Sequence, residues 1–174
     1  MKRDFLKLLK ALDEEELREE LLALYERFPV LREYYKLELG SSTKDVLEKY
    51  KKDVRKAFFT GRRRMGKRGR SNSAKVIKDF KEVSIHPRDL VELHFHRVAV
   101  MIEAMEYYRV ENEPFYNSMI KSFEKSAEMA KKELLLDSFR ESADKIVASF
   151  ESIDSFGGGR DLRQKFWLYW PRHN

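Results

Sequence analysis

Apolar residues recur along this chain at steps of three and four, the period of a helix with one buried side. Phe5, Leu8, Leu9 and Leu12 form the first stripe, and Leu17, Leu21, Leu24 and Phe28 the second. Asp13 and Glu16 stand between them at the spacing of a capping box. Pro29 suits the first turn of a short helix over 30–39, which Gly40 can end. Ser41 or Ser42 can cap a helix over 43–58, with Val46, Tyr50, Val54 and Ala57 or Phe58 on its buried side. Ser71, Asn72 or Ser73 can cap the next, over 74–83, where Val76, Phe80 and Val83 point one way. After Pro87 the stretch 88–108 is apolar on most sides, through Val91, Phe95, Val98, Ile102 and Met105, which predicts a central helix. Pro114 opens a helix lined by Tyr116, Ile120, Phe123, Ala127 and Ala130. Asp137 or Ser138 opens another, with Phe139, Ala143, Ile146 and Phe150 inside.

No stretch alternates with the period of a strand. The expected fold is therefore all-α: one domain over 1–174, with about seven to nine helices in antiparallel helical hairpins, as a bundle or a short helical-repeat-like array. The low counts, Gly 7 and Pro 4, agree with long helices joined by short turns. Gly157, Gly158 and Gly159 suggest a flexible joint before an aromatic segment at 160–171. There Phe166, Trp167, Tyr169 and Trp170 are expected to pack back on the body. Cys 0 excludes a disulfide framework and fits a reducing compartment. No apolar run reaches the ~20 residues of a membrane helix. Lys7 and Lys10 break up the opening MKRDFLKLLKAL, which is not read as a secretory leader. The chain is accordingly read as cytoplasmic, with no membrane role.

Charge changes this picture at one place. Residues 61–81 hold nine basic side chains and one acid, Asp79, a net +8. Residues 1–60 hold 14 basic and 13 acidic groups, and residues 82–174 hold 13 and 16. The excess of positive charge thus belongs to one short segment. Gly61, Gly66 and Gly69 predict a basic loop at 60–72. Arg62, Arg63, Arg64, Lys67, Arg68 and Arg70 lie on it, and Lys75 and Lys78 extend the cationic surface onto the following helix.

The stretches LEKYKKDVRKAFF (47–59), the basic region 66–83, EPFYNSMIKSFEKSAEMAKKE (113–133) and LLLDSFRESADKIV (134–147) resemble a family of small uncharacterised bacterial proteins, defined only as a domain of unknown function. The resemblance covers most of the chain and is most specific at Pro114–Ser118. It implies an all-helical fold with helical-hairpin character. It implies no activity.

Gly61 to Arg68 imitates a phosphate-binding P-loop, but Arg68 stands where the Mg²⁺-binding Ser or Thr belongs, and the segment follows a helix instead of a strand. The same residues suit a simple anion cradle, since guanidinium forks bond two phosphate oxygens at once. Nucleic acid is therefore the first expected partner and an acidic protein the second. The loop lacks the interleaved aromatics that stack on unpaired bases. A protein-interaction scaffold using an interhelical groove is the alternative function. His94 and His96, two apart on a helix, point to different sides and cannot share a metal, while Glu92, His96 and Glu103 predict a polar face. No paired-carboxylate, nucleophile or cofactor motif stands out. The expectation is a non-enzymatic binding module without a cofactor, of open oligomeric state. It requires that the basic side chains face solvent and are not neutralised by carboxylates of neighbouring helices.

Overall fold

The computed structural model describes residues 1–39, 44–61, 63–110, 112–153 and 158–172. Among them are nine helices and no strand: α1 (Lys2–Ala11), α2 (Glu14–Arg27), α3 (Pro29–Leu39), α4 (Lys44–Phe58), α5 (Gly69–Val83), α6 (Pro87–Tyr108), α7 (Glu113–Lys132), α8 (Leu136–Ile153) and α9 (Gly158–Tyr169). The all-α expectation holds. None of these helices is long and apolar enough to cross a membrane.

Helix α6 is central, as its apolar breadth predicted, and packs against α4, α5, α7 and α8. Neighbours in sequence also pair in space: α4 with α5, α6 with α7, and α8 with α9. Phe58, Phe80, Phe115, Phe123, Phe150 and Phe166, from five helices, are fully buried around Leu93, Met101 and Ile102 of α6. Burying an aromatic of this size is worth several times the net stability of an average contact, so these rings set how the helices meet. The C-terminal aromatics do pack back. Trp170 stacks on Phe166 at 5.0 Å and donates its indole N–H to the Leu136 carbonyl at 2.8 Å.

Local chemistry explains the helix ends. Asp13 caps α2 by accepting from the Glu15 and Glu16 amides, both at 2.9 Å, and the Glu16 carboxylate accepts from the Asp13 amide, also at 2.9 Å. This is the capping box read in the sequence.

Two boundaries differ from expectation. Helix α5 begins at Gly69 and not near residue 74, so Gly69 is inside the helix. A Cβ there would lie 2.8 Å from Phe58 Cδ1 and 3.2 Å from the Ala57 carbonyl. The residue is glycine because the first turn of α5 presses on the last turn of α4. Likewise Gly158 and Gly159 belong to α9 and do not form a joint; Gly157 lies outside the described residues. A Cβ on Gly158 would fall within 2.5 Å of the Tyr116 ring, whose hydroxyl donates to the Gly158 carbonyl at 2.7 Å. Tertiary contact, not backbone freedom, selects both glycines.

The N-terminal helices differ in another way. The stripes of α1 and α2 form as expected, but neither helix buries a residue. Helix α3 ties this end to the body: it packs on α5, and its Glu33 accepts from Lys49 of α4 at 2.6 Å.

Candidate nucleic-acid interface

The cationic segment is built by the meeting of α4 and α5. Gly61, three residues beyond the end of α4, turns the chain with a positive φ of 73° that glycine adopts without strain. The chain then returns over the end of α4, where the Gly66 amide donates to the Phe58 carbonyl at 3.5 Å and the Gly69 amide to the Gly66 carbonyl at 3.0 Å. Arg63, Arg64, Lys67 and Arg68 are exposed on this return. Arg62 lies outside the described residues. In α5 the buried side is Gly69, Ser73, Ile77, Phe80 and Val83. Lys75 and Lys78 therefore fall on the outer face, both exposed.

Several cations of α4, α8 and α9 are matched with acids. Lys51 bonds Glu48 and Glu92, each at 2.7 Å, Lys56 bonds Asp53 at 3.1 Å, and Arg55 grips Glu103 with both guanidinium nitrogens. Lys145, Arg163 and Lys165 are also paired. Among the described residues, Arg63, Arg64, Lys67, Arg68, Arg70, Lys75 and Lys78 take part in no ion pair. Arg70 has an internal role: it donates to the Pro114 carbonyl at 2.8 Å and lies 5.9 Å from the centre of the Phe115 ring. It fastens the first turn of α5 to the start of α7 and is less free than its neighbours.

Beneath this turn is a residue whose role the sequence pattern does not show. Arg97 of α6 is buried. Its Nε donates to Ser73 Oγ at 2.9 Å, one Nη to Ser122 Oγ at 2.6 Å and the other to the Arg70 carbonyl at 3.2 Å. It thus links α5, α6 and α7 with hydroxyl and carbonyl acceptors and, among the described residues, no carboxylate. Burial, and after it the nearby charge of Arg70, lowers its pKa. An arginine in the middle of the apolar run of 88–108 was the available signal, since a buried charge is rare without a structural reason.

A second group is equally hidden in the sequence. Phe59, directly before the basic return, meets Tyr107 and Tyr108 at the end of α6, with ring centres 5.6 Å apart in both cases. Tyr107 and Tyr108 lie edge to face at 4.7 Å, and Tyr107 is 70% exposed. Arg55 covers Phe59 at 4.5 Å. The rings absent from the loop are supplied at its base, by Phe59 just beyond α4 and by Tyr107 and Tyr108 at the end of α6. The adjacent pairs Phe58–Phe59 and Tyr107–Tyr108 hinted at this, because neighbouring helical residues cannot both point inward.

His94 and His96 serve the packing. His96 Nε2 donates to the Lys51 carbonyl at 3.2 Å, and burial lowers its pKa. With Glu92 on Lys51 and Glu103 on Arg55, the polar face of α6 docks on the basic side of α4. His94 is buried, and its pKa is lowered to about 4, first by burial and then by Lys125, Arg97 and Lys81. An unfolded histidine titrates near 6.5, so between that pH and about 4 the unfolded chain takes up a proton that the folded one refuses. Stability is then fully present above pH 6.5 and is lost as the pH falls toward 4. Between about pH 7 and 5 the loss due to His94 is expected to be about 2 kcal/mol. Urea denaturation of the wild type and of His94→Gln at both pH values measures it. The variant is expected to lose less on acidification, and an equal loss would place the sensitivity elsewhere.

A cleft of 430 Å³ lies between α8 and α9, lined by Asp137, Arg140, Glu141, Asp144, Phe166 and Trp167. Asp144 is paired with Arg163, and Glu141 with Lys145 at 2.6 Å. Two of the three carboxylates there, Glu141 and Asp144, are thus each held by a cation.

A family model of unknown function, DUF6155, matches residues 1–152. The chain belongs to the DUF6155 family. No curated protein matches the chain, and no solved structure does. The DUF6155 match includes the whole cationic segment, the Arg97 cluster and the Phe59–Tyr107–Tyr108 group. It stops before α9, although Leu162, Phe166 and Trp170 lie in the same core.

Proposed function

We propose that this protein is a non-enzymatic binding module that holds nucleic acid by its phosphates. Arg63, Arg64, Lys67 and Arg68 supply the main grip, Lys75 and Lys78 extend it, Arg62 is assigned to the same set by sequence, and Arg70 braces the turn. The observation that carries the reading is the concentration of unpaired charge. From Arg63 to Lys78 seven basic side chains are exposed, take part in no ion pair among the described residues and have no acidic residue between them, while several cations of α4, α8 and α9 are each matched with a carboxylate. A cluster of unmatched charge raises the self-repulsion of the folded state. A polyanion that displaces its own counterions relieves that repulsion.

The ring group at Phe59, Tyr107 and Tyr108 favours single strands over duplex, because unpaired bases can stack on an exposed tyrosine beside a phosphate-binding loop. Mobility-shift titration of a single strand and a duplex of equal length is the test. Binding of both is expected, tighter for the single strand. Tyr107→Ala is expected to weaken single-strand binding by about tenfold and leave duplex binding within about twofold, with Tyr107→Trp close to wild type. Equal weakening of both forms would remove the stacking role. No binding of either form, at low salt, would remove the nucleic-acid reading and leave an acidic protein as the partner to seek.

A further inference from the structure

We infer that the chain forms a two-fold dimer in which α1 of each copy packs against α2 of the other. The observation is independent of the cationic segment. Phe5 (52% exposed) and Leu8 (49%) of α1, Leu21 (56%) and Leu22 (62%) of α2, and Phe28 (42%) just beyond it leave a run of large apolar side chains facing water. With Leu6, Tyr25 and Val30 these side chains together leave on the order of 800 Å² exposed, comparable to one partner's share of a standard interface.

The chemistry of the two helices identifies the occupant. Helix α1 carries Lys2, Arg3, Lys7 and Lys10 against Asp4 alone. Helix α2 carries six glutamates against Arg18 and Arg27. Whatever covers α1 must be apolar and acidic, and whatever covers α2 must be apolar and basic. The chain itself owns both surfaces. Only Leu12 and Asp13, both extended, separate the two helices, and α1 does not pack along α2 or along any other described helix. A two-fold axis satisfies both requirements at once, since α1 meets α2 twice and like charges never face each other. Helix α3 holds this unit to the body through α5, so the dimer contact leaves the core of α4–α9 untouched.

The test is the mass of the full chain in solution, by sedimentation or light scattering, at about 50 µM and without nucleic acid. Twice the chain mass of 20.9 kDa is expected. Leu8→Glu combined with Leu21→Glu is expected to give the single-chain mass with unchanged helical content, because neither residue is in the core. Reversing Lys2, Lys7 and Lys10 to Glu is expected to weaken the dimer at least tenfold, and adding Glu19→Lys, Glu20→Lys and Glu26→Lys to restore it. A single-chain mass for the wild type would overturn the inference and leave the face to another partner or a lipid surface. A dimer that survives the Leu8 and Leu21 changes would overturn it too, by placing the interface elsewhere. Neither result bears on phosphate binding, which is read separately.

Discussion

Arg97→Ala is expected to destabilise the fold by about 3 kcal/mol, while Arg97→Met costs about 1 kcal/mol. The arginine contributes in two opposed ways. Its stem fills space where α5, α6 and α7 meet, and its guanidinium makes three hydrogen bonds there. Against this, a buried charge without a carboxylate partner bears a desolvation penalty that its neutral acceptors only partly offset. Alanine removes the bonds and leaves a cavity. Methionine also removes the bonds but keeps most of the packing and relieves the penalty. The stranded acceptors are not orphaned in either variant, because Ser122 Oγ still donates to the Ser118 carbonyl at 2.6 Å and Ser73 Oγ to the Arg70 carbonyl at 3.1 Å. Denaturant titrations of the two variants measure the split. Equal losses would mean that the hydrogen bonds, and not the volume, dominate at this junction.

Reversing Arg63, Arg64 and Arg68 to Glu together is expected to lower nucleic-acid affinity at least 100-fold at low salt, with the melting temperature within a few degrees of wild type. The asymmetry follows from where these side chains are. All three are exposed and none bonds a carboxylate among the described residues, so the fold does not depend on them. Affinity does, because a phosphate no longer gripped by a guanidinium keeps its counterion, and each new carboxylate repels the strand. Arg70→Glu is a useful contrast. Its bond to the Pro114 carbonyl joins α5 to α7, so that change is expected to lower stability as well as affinity.

Much of the fold can be read from spacing alone. The period of the apolar residues locates the helices, and the breadth of the apolar surface over 88–108 identifies the central one. What spacing cannot carry is contact between distant segments. Gly69 looks like a breaker until Phe58 is set against it, and Gly158 looks like a hinge until the Tyr116 ring is placed. The stripes on α1 and α2 look like core because period shows which side is apolar, not what covers it. For the candidate interface, the pooled charge is visible in the sequence, since it depends only on which residues are adjacent. Whether those charges are already paired depends on carboxylates from other helices. The Phe59–Tyr107 contact and the Arg97 strut likewise join residues tens of positions apart.

The salt dependence of affinity tests the account most directly. Between about 50 and 200 mM salt, an interface that neutralises about five phosphates of a single strand is expected to lose roughly 100-fold in affinity, as a straight line of log Kd against log salt concentration. The Arg63, Arg64 and Arg68 reversal is expected to flatten that line. A change of less than about threefold over the same range, or wild type and variant with the same slope, would contradict the claim that the unpaired cations of 63–78 hold a polyanion.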